Sequence, residues 1–248
     1  MSEKLQEHIF STYLTLRYGI VLIGALLPLL VYVVGRFHSI PLQDSISAYY
    51  WASAGNAAPS RDWFVGCLFA IAAFLYLYKG FSAAENIALN LAAILGVGVA
   101  VFPMEWQCGT ACGKYSVHGF CAVMMFACLV YVVWFRAGDT LTLIPEEARA
   151  RYRRTYKIVG AVMLVSPLTA FVLNSVVGTR TSYVFFIEAA GIWAFSLYWG
   201  IKSVELKRSA ATAKALQGQV EAPPNRRGGP VTAAPETAIV SPTGNLRG

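Results

Sequence analysis

Six long apolar stretches constrain this chain more than any other feature of its sequence. They cover residues 18–36, 63–79, 86–103, 116–135, 158–177 and 183–201. A helix of about 20 apolar residues crosses the hydrocarbon core of a bilayer. The pattern therefore predicts an all-α polytopic membrane bundle of six transmembrane helices. Composition agrees, because only 13% of the residues are charged, about half the fraction in an average soluble domain.

Two segments flank the predicted six-span domain of residues 18–206. Residues 1–17 carry apolar side chains at helical spacing, which predicts an amphipathic segment at the membrane surface. Residues 207–248 are rich in Ala, Pro, Gly and Thr without apolar periodicity, which predicts a disordered cytoplasmic tail. The opening MSEKLQEH lacks the basic start and apolar core of a secretory signal. The first span is therefore expected to insert as an uncleaved anchor.

The distribution of basic residues predicts that both termini are cytoplasmic. With that orientation most of the 20 Lys and Arg residues lie inside, as the positive-inside rule requires. The basic residues flank spans and show no aromatic-interleaved basic face, so nucleic acid is not an expected partner. The segment PEEARARYRRTYK predicts a short surface helix that continues into the fifth span. Its basic side chains are expected to face the anionic cytoplasmic leaflet: Arg149, Arg151, Arg153 and Arg154.

Three ionisable residues lie near the starts of even-numbered spans and so reach the same, outer, side: Asp62, His118 and Glu188. Glu188 lies about 9 Å below the outer end of its helix, at 1.5 Å per residue. Ionisable groups at this depth are costly and usually face a bundle interior or a polar cavity. We therefore expect a polar site on the outer face, with these three residues and Ser47 as catalytic candidates. Further ligand-binding candidates come from the loop DSISAYYW and from the end of the fifth span: Ser45, Tyr49, Tyr50 and Asn174.

Structural roles compete with this interpretation. Asp62 suits a helix start, where a carboxylate caps free amides. His118 suits a packing position with one hydrogen bond. A zinc site would need His38, His118 and one carboxylate, and since nothing in the spacing selects that set, no metal or cofactor is predicted. The segment CGTAC makes Cys108 and Cys112 candidates for a local disulfide in an oxidising compartment. Gly98 and Gly191 predict close contacts between helices.

Four segments resemble the Frag1/DRAM/Sfk1 superfamily of six-span membrane proteins. They are PLQDSISAYY after the first span, DWFVGCLFAIAAFLYLY in the second, VHGFCAVMMFACLVYVV in the fourth and FFIEAAGIWAFSLYWGIKS in the sixth. The resemblance covers residues 18–206 and implies a role in membrane lipid biology, with Ser47, His118 and Glu188 as the matching polar positions. Relatives in that superfamily are linked to GPI-lipid remodelling, lipid asymmetry and autophagy. The long tail and the CGTAC loop depart from the family pattern.

A second group of residues resembles the membrane hydrolases that include alkaline ceramidases. The matching positions are Ser45 or Ser47, Asp62 and His118. The chain lacks the paired C-terminal histidines of those enzymes, which argues against zinc-dependent hydrolysis.

Four functional hypotheses follow from the sequence. The leading one is an integral membrane protein, of a bacterial inner membrane, whose outer-face pocket binds or handles membrane lipid. The second is a membrane-embedded lipid hydrolase or transferase at the same pocket. A transporter subunit is less favoured, because the inner halves of the spans are expected to be nearly free of charge apart from Glu85, Asn86 and Asn90. A non-catalytic scaffold is the fourth. The sequence indicates no oligomeric state.

Overall fold

The computed structural model describes residues 3–105, 116–173 and 182–209. Within these ranges the chain is all-helical and contains no β-strand. The long helices are α1 (Glu3–Phe37), α2 (Pro59–Leu77), α3 (Ala83–Val101), α4 (Val117–Tyr131), α5 (Glu146–Val172) and α6 (Tyr183–Ser209). Each belongs to a segment long and apolar enough to cross a membrane. The predicted all-α fold with six spanning helices is confirmed.

The six helices form a ring in sequence order. Each packs against the helices that precede and follow it, and α1 packs against α6 to close the ring. Because consecutive helices run in opposite directions, the starts of α2, α4 and α6 lie at one end. We call this the His118 end, and the opposite one the Lys202 end. The basic residues of the sequence predict that the His118 end faces outward.

The outer surface of the ring is apolar and its interior is close-packed. Large apolar side chains such as Leu22, Ile94 and Phe120 are each about 60% exposed, as suits helix faces in contact with lipid. The predicted close helix contacts are confirmed at two glycines. A Cβ at Gly98 would lie 2.8 Å from Cys121 Sγ, and one at Gly191 would lie 2.9 Å from Ser166 Cβ.

Two predicted boundaries differ from the structure. The amphipathic segment 1–17 is not a separate element, because α1 runs without a break from Glu3 to Phe37. The sixth helix does not end near residue 201 but continues to Ser209. Both differences have one cause, since hydropathy marks where apolar residues stop, whereas a helix continues as long as its backbone bonds and packing continue. The extension of α6 places Lys202 and Glu205 inside the bundle.

In the connections that the structure describes, three short helical segments are present. The Ser47–Tyr50 segment is a 3₁₀ turn in the first loop, and Leu141–Leu143 is another before α5. A π-helical turn, Val132–Arg136, extends α4. Helix α5 begins at Glu146, so the basic segment and the fifth span form one continuous helix, as predicted.

Candidate functional site

The loop between α1 and α2 folds back onto the His118 end of the bundle. Ser45 Oγ accepts a hydrogen bond of 3.0 Å from the Ala48 amide, which closes the 3₁₀ turn. The Asp44 carbonyl accepts one of 2.9 Å from the Phe185 amide at the start of α6. Tyr49 is fully buried, and its ring lies 6.1 Å from that of Phe185. The loop is therefore held as an ordered layer against α6.

Glu188 fastens this loop from the first turns of α6. Its Oε2 accepts hydrogen bonds from two successive loop amides, 2.8 Å from Ile46 N and 3.4 Å from Ser47 N. These amides open the 3₁₀ turn and have no partner within it. A carboxylate suits them because hydrogen bonds to a charged acceptor are stronger than neutral ones.

His118 lies in the first turn of α4, where Ser116 Oγ caps the helix by accepting from Gly119 N at 3.0 Å. The imidazole Nδ1 lies 2.9 Å from the Phe102 carbonyl and 3.1 Å from the Val99 carbonyl. Carbonyl oxygens only accept, so these partners assign the proton to Nδ1 and leave Nε2 as an acceptor. These carbonyls lie at the end of α3, where the helix itself leaves them without partners.

Ser47 joins His118 and Glu188 into one cluster, which we call the His118 cluster. Its hydroxyl donates to His118 Nε2 at 2.9 Å, while its amide donates to Glu188. His118 is buried, whereas Ser47 is only partly buried. The cluster therefore connects a buried imidazole to the protein surface through a single hydroxyl group.

The arrangement has the geometry of a hydroxyl next to a general base. A serine with its Oγ within hydrogen-bond reach of an acceptor imidazole can be activated as a nucleophile. Backbone carbonyls, rather than a carboxylate, orient the imidazole here. The amides of Ile46, Ser47 and Ala48 all have partners within the protein. Ser47, His118 and these amides are therefore as well suited to holding the loop in place as to activating a nucleophile.

Asp62 lies apart from this cluster. Its side chain is 76% exposed, and the one polar contact described for it is an ion pair with Arg61 at 3.8 Å. It lies in the first turn of α2, but the cap position is Ala58 and no side-chain cap bond is present. Its negative charge complements the positive end of α2, and the exposed position makes that contribution small.

The remaining predicted ligand-binding residues differ in their burial and contacts. Ser45 is buried and occupied in the turn. Tyr49 is buried, which raises the pKa of its hydroxyl and keeps it neutral. Tyr50 is partly exposed, and the Arg61 guanidinium lies 5.8 Å above its ring. Asn174 lies outside the described residues, as do both members of the predicted disulfide, Cys108 and Cys112.

The zinc set considered from the sequence is not assembled. His38 is exposed, and its Nδ1 lies 2.9 Å from the Val34 carbonyl of its own helix. Both ring nitrogens of His118 are engaged by protein groups. In the described part of the chain, no group of three or more His, Cys, Asp or Glu side chains could hold a metal ion.

A shallow groove of about 500 Å³ opens between α2 and α3 at the His118 end. Its upper rim is polar and its floor is apolar. The lining residues are Tyr50, Arg61, Asp62, Val65, Gly66, Phe69, Ala100 and Val101. We call it the α2–α3 groove.

Sequence reasoning missed a second buried polar cluster at the opposite end. Lys202 Nζ lies 2.6 Å from Glu205 Oε2, 2.6 Å from Thr140 Oγ1 and 2.9 Å from the Ala137 carbonyl. Glu205 also accepts from Thr140 Oγ1 at 2.7 Å and from the Tyr156 hydroxyl at 2.8 Å. Lys202 and Glu205 are at most 2% exposed. We call these four side chains the Lys202 cluster.

Further charges are buried near this end, which carries more charge than expected: Arg17, Lys202 and Glu205 join Glu85, the exception that the sequence already shows. Glu85 is 3% exposed and accepts from Phe81 N at 2.8 Å. Arg17 of α1 is 1% exposed, and its Nε and Nη2 have no hydrogen-bond partner among the described residues. A signal was present in the sequence, because Lys202 and Glu205 are three residues apart and so share a helix face.

The basic residues predicted to face the membrane surface do not all behave alike. Arg149 donates to the Leu141, Thr142 and Ile144 carbonyls, at 3.1 to 3.4 Å, and so fastens the connection before α5. Arg151, Arg153 and Arg154 are exposed.

Comparison of the chain with protein-family models, with curated proteins and with solved structures finds no match.

Proposed function

We propose that this integral membrane protein binds and handles a membrane lipid at its His118 end. One observation carries the proposal: the buried His118 is linked through Ser47 to the surface, at the end of the bundle that charge distribution predicts to be the outer one. A lipid headgroup at this level would meet a hydroxyl that is already hydrogen-bonded to an imidazole.

Three further points support the proposal. Buried ionisable groups in spanning helices are costly and are commonly kept for a functional site. The Ser47 loop forms an ordered layer at the predicted headgroup level, held by Glu188 and by the start of α6. The sequence resemblance to the Frag1/DRAM/Sfk1 superfamily also points to membrane lipid biology.

The test is the lipid composition of a strain that lacks the gene, compared with strains in which wild type or Glu188→Gln is restored. Glu85→Gln is a matched control, because Glu85 is also a poorly exposed carboxylate that accepts from a backbone amide at 2.8 Å. We expect wild type and the control to restore the lipid profile and Glu188→Gln to fail at equal protein level. An unchanged profile in the deletion strain would refute the proposal.

A second candidate function is lipid hydrolysis or transfer, and the 2.9 Å Ser47–His118 hydrogen bond favours it. In this reaction Ser47 Oγ attacks the carbonyl carbon of a lipid ester while its proton passes to His118 Nε2. His118 then returns the proton to the oxygen of the departing alcohol, and an acyl-serine remains. Water completes hydrolysis, or a second alcohol completes transfer.

A fluorophosphonate probe tests this candidate on the purified full-length protein. We expect a covalent adduct on Ser47 that is lost in Ser47→Ala and strongly reduced in His118→Gln. Ser60, which is fully buried and donates to the Val31 carbonyl, serves as an internal control that stays unlabelled. If folded wild-type protein forms no adduct, the hydrolysis or transfer candidate is refuted and the proposal of lipid binding remains.

A further inference from the structure

The α2–α3 groove has a polar rim that suits a phosphate group. The Arg61 side chain is 46% exposed and lies over the Tyr50 ring. Its ion pair with Asp62, at 3.8 Å, is the only salt bridge described for it, and no hydrogen bond occupies its guanidinium among the described residues. An exposed pair of this kind is weak. Arg61 therefore keeps donors for an anion, and guanidinium groups bind phosphate in a two-pronged manner.

Below the rim, the groove is apolar and open. Phe69 and Val101 are 44% and 50% exposed and face away from the bundle. Gly66 lies between the apolar side chains of α2, and a Cβ added there would meet no atom within 4 Å. The missing side chain at Gly66 leaves room for a chain-like apolar ligand against α2 and α3. The groove has a polar rim above an apolar floor, on a helix face exposed to the bilayer. This arrangement matches the charged headgroup and the acyl chains of a phospholipid.

Both walls of the groove lead to the His118 cluster. Tyr50 and Ser47 are three residues apart in a 3₁₀ turn, where side chains at this spacing lie one above the other. On the other wall, Ala100 and Val101 lie between the two residues whose carbonyls hold His118, Val99 and Phe102. A ligand in the groove would therefore contact the two segments that hold the His118 cluster.

We propose that the α2–α3 groove binds a glycerophospholipid, with its phosphate at Arg61 and Tyr50 and one acyl chain over Gly66. This inference rests on the proposed lipid-handling function and names its ligand class. Charge complementarity selects the phosphate, because a neutral diacylglycerol offers the Arg61 guanidinium only ester and hydroxyl oxygens and no anion. The open position at Gly66 selects an acyl chain.

The experiment uses the full-length protein in nanodiscs with a trace of phosphatidylethanolamine that carries a photoactivatable diazirine in one acyl chain. A matched diacylglycerol with the same diazirine reports contact that does not depend on phosphate. Labelled positions are mapped by mass spectrometry of peptides. In wild type we expect labelling by the phospholipid probe to concentrate on the α2 and α3 segments that line the groove.

Filling the groove is the decisive variant. Gly66→Leu should lower phospholipid labelling there by about tenfold, a difference of about 1.4 kcal/mol. Gly200→Leu is the matched control, because an added Cβ at Gly200 also meets no atom within 4 Å. Arg61→Gln should reduce labelling by the phospholipid probe to the level of the diacylglycerol probe. Arg151→Gln, which changes an exposed arginine at the other end, should have no effect.

Equal labelling in wild type and Gly66→Leu would overturn the inference, and so would equal labelling by the two probes in wild type. Ser47→Ala separates this inference from the proposed function, since it should keep the labelling. If the lipid profile of cells proves independent of the gene while groove labelling still needs Gly66 and Arg61, the proposed function fails and the binding site remains.

Discussion

The two ends of the bundle both bury polar side chains, but they do so in different ways. At the Lys202 end, an ammonium group and a carboxylate face each other at 2.6 Å, and Thr140 and Tyr156 supply the remaining hydrogen bonds. At the His118 end, the Glu188 and His118 side chains bond to backbone groups of other elements, Ser47 Oγ bonds to the imidazole, and no ion pair is described within the cluster.

This difference distinguishes a stabilising cluster from the one to which we assign the proposed function. The Lys202 cluster lies among α4, α5, α6 and their connection and is closed to the outside, so its role is to hold those elements together. The His118 cluster holds a loop, and it reaches the surface at Ser47. Removing a group from a fully buried network destabilises the fold. A network that reaches the surface can be altered there while the fold stays intact.

The largest expected effect is that of Lys202→Met. It leaves the Glu205 carboxylate buried without its cation, and breaking a buried pair in this way costs about 3–5 kcal/mol. Thermal unfolding in detergent should show a strongly reduced midpoint. Lys202→Met combined with Glu205→Leu should recover part of the loss. A midpoint unchanged by the single substitution would break the comparison, because the Lys202 cluster would then not be structural.

Glu188→Ala should have a smaller, local effect. It leaves the Ile46 and Ser47 amides without their acceptor, and a hydrogen bond to a charged group contributes about 1.5–3 kcal/mol. Hydrogen exchange should quicken at these two amides by about tenfold or more. Amides in the middle of α6 should keep their rates. Uniform acceleration along α6 would show that Glu188 stabilises the whole bundle rather than the loop.

Ser47→Ala should cost still less stability, about 1 kcal/mol or below, because His118 keeps both carbonyl partners. The unfolding midpoint checks this directly, with Ser60→Ala as a comparison for a fully buried hydroxyl. A loss as large as that in Glu188→Ala would make Ser47 primarily a structural residue and would weaken its assignment as the functional opening of the cluster.

Asp62→Asn should have the smallest effect, within about 0.5 kcal/mol, because an exposed ion pair contributes little. The same unfolding measurement applies. A loss above about 1 kcal/mol would place Asp62 in a network that the described contacts do not contain.

The sequence predicts how deep a residue lies along its helix, but it does not predict well which way the side chain points around the helix. Hydropathy located all six helices, and the alternating direction of the spans placed Glu188 and His118 at one end. Depth does not say which way a side chain points around its helix, so Asp62 was grouped with them although it faces outward. Ser47 was named from its loop, but the bonds that link it to both residues join parts of the chain about 70 and 140 residues away.

The Lys202 cluster could not be found by the same reasoning. A lysine at the end of an apolar stretch normally extends its amine toward water, so hydropathy alone predicts an exposed Lys202. Its burial depends on Glu205 one turn further on and on Thr140 and Tyr156 from other elements. The packing of α6 against α5 and against the connection between α4 and α5 brings these groups together.

The ring of helices in sequence order has a consequence for biosynthesis. As the chain emerges from the ribosome, each new helix can dock on the one inserted just before it, and the seam between α1 and α6 closes last. Until then the face of α1 that carries Gly24 and Ala25 lacks its final neighbour. A nascent chain arrested before α6 would present an unpaired helix face within the bilayer, a feature by which membrane quality control could distinguish unfinished chains from completed ones.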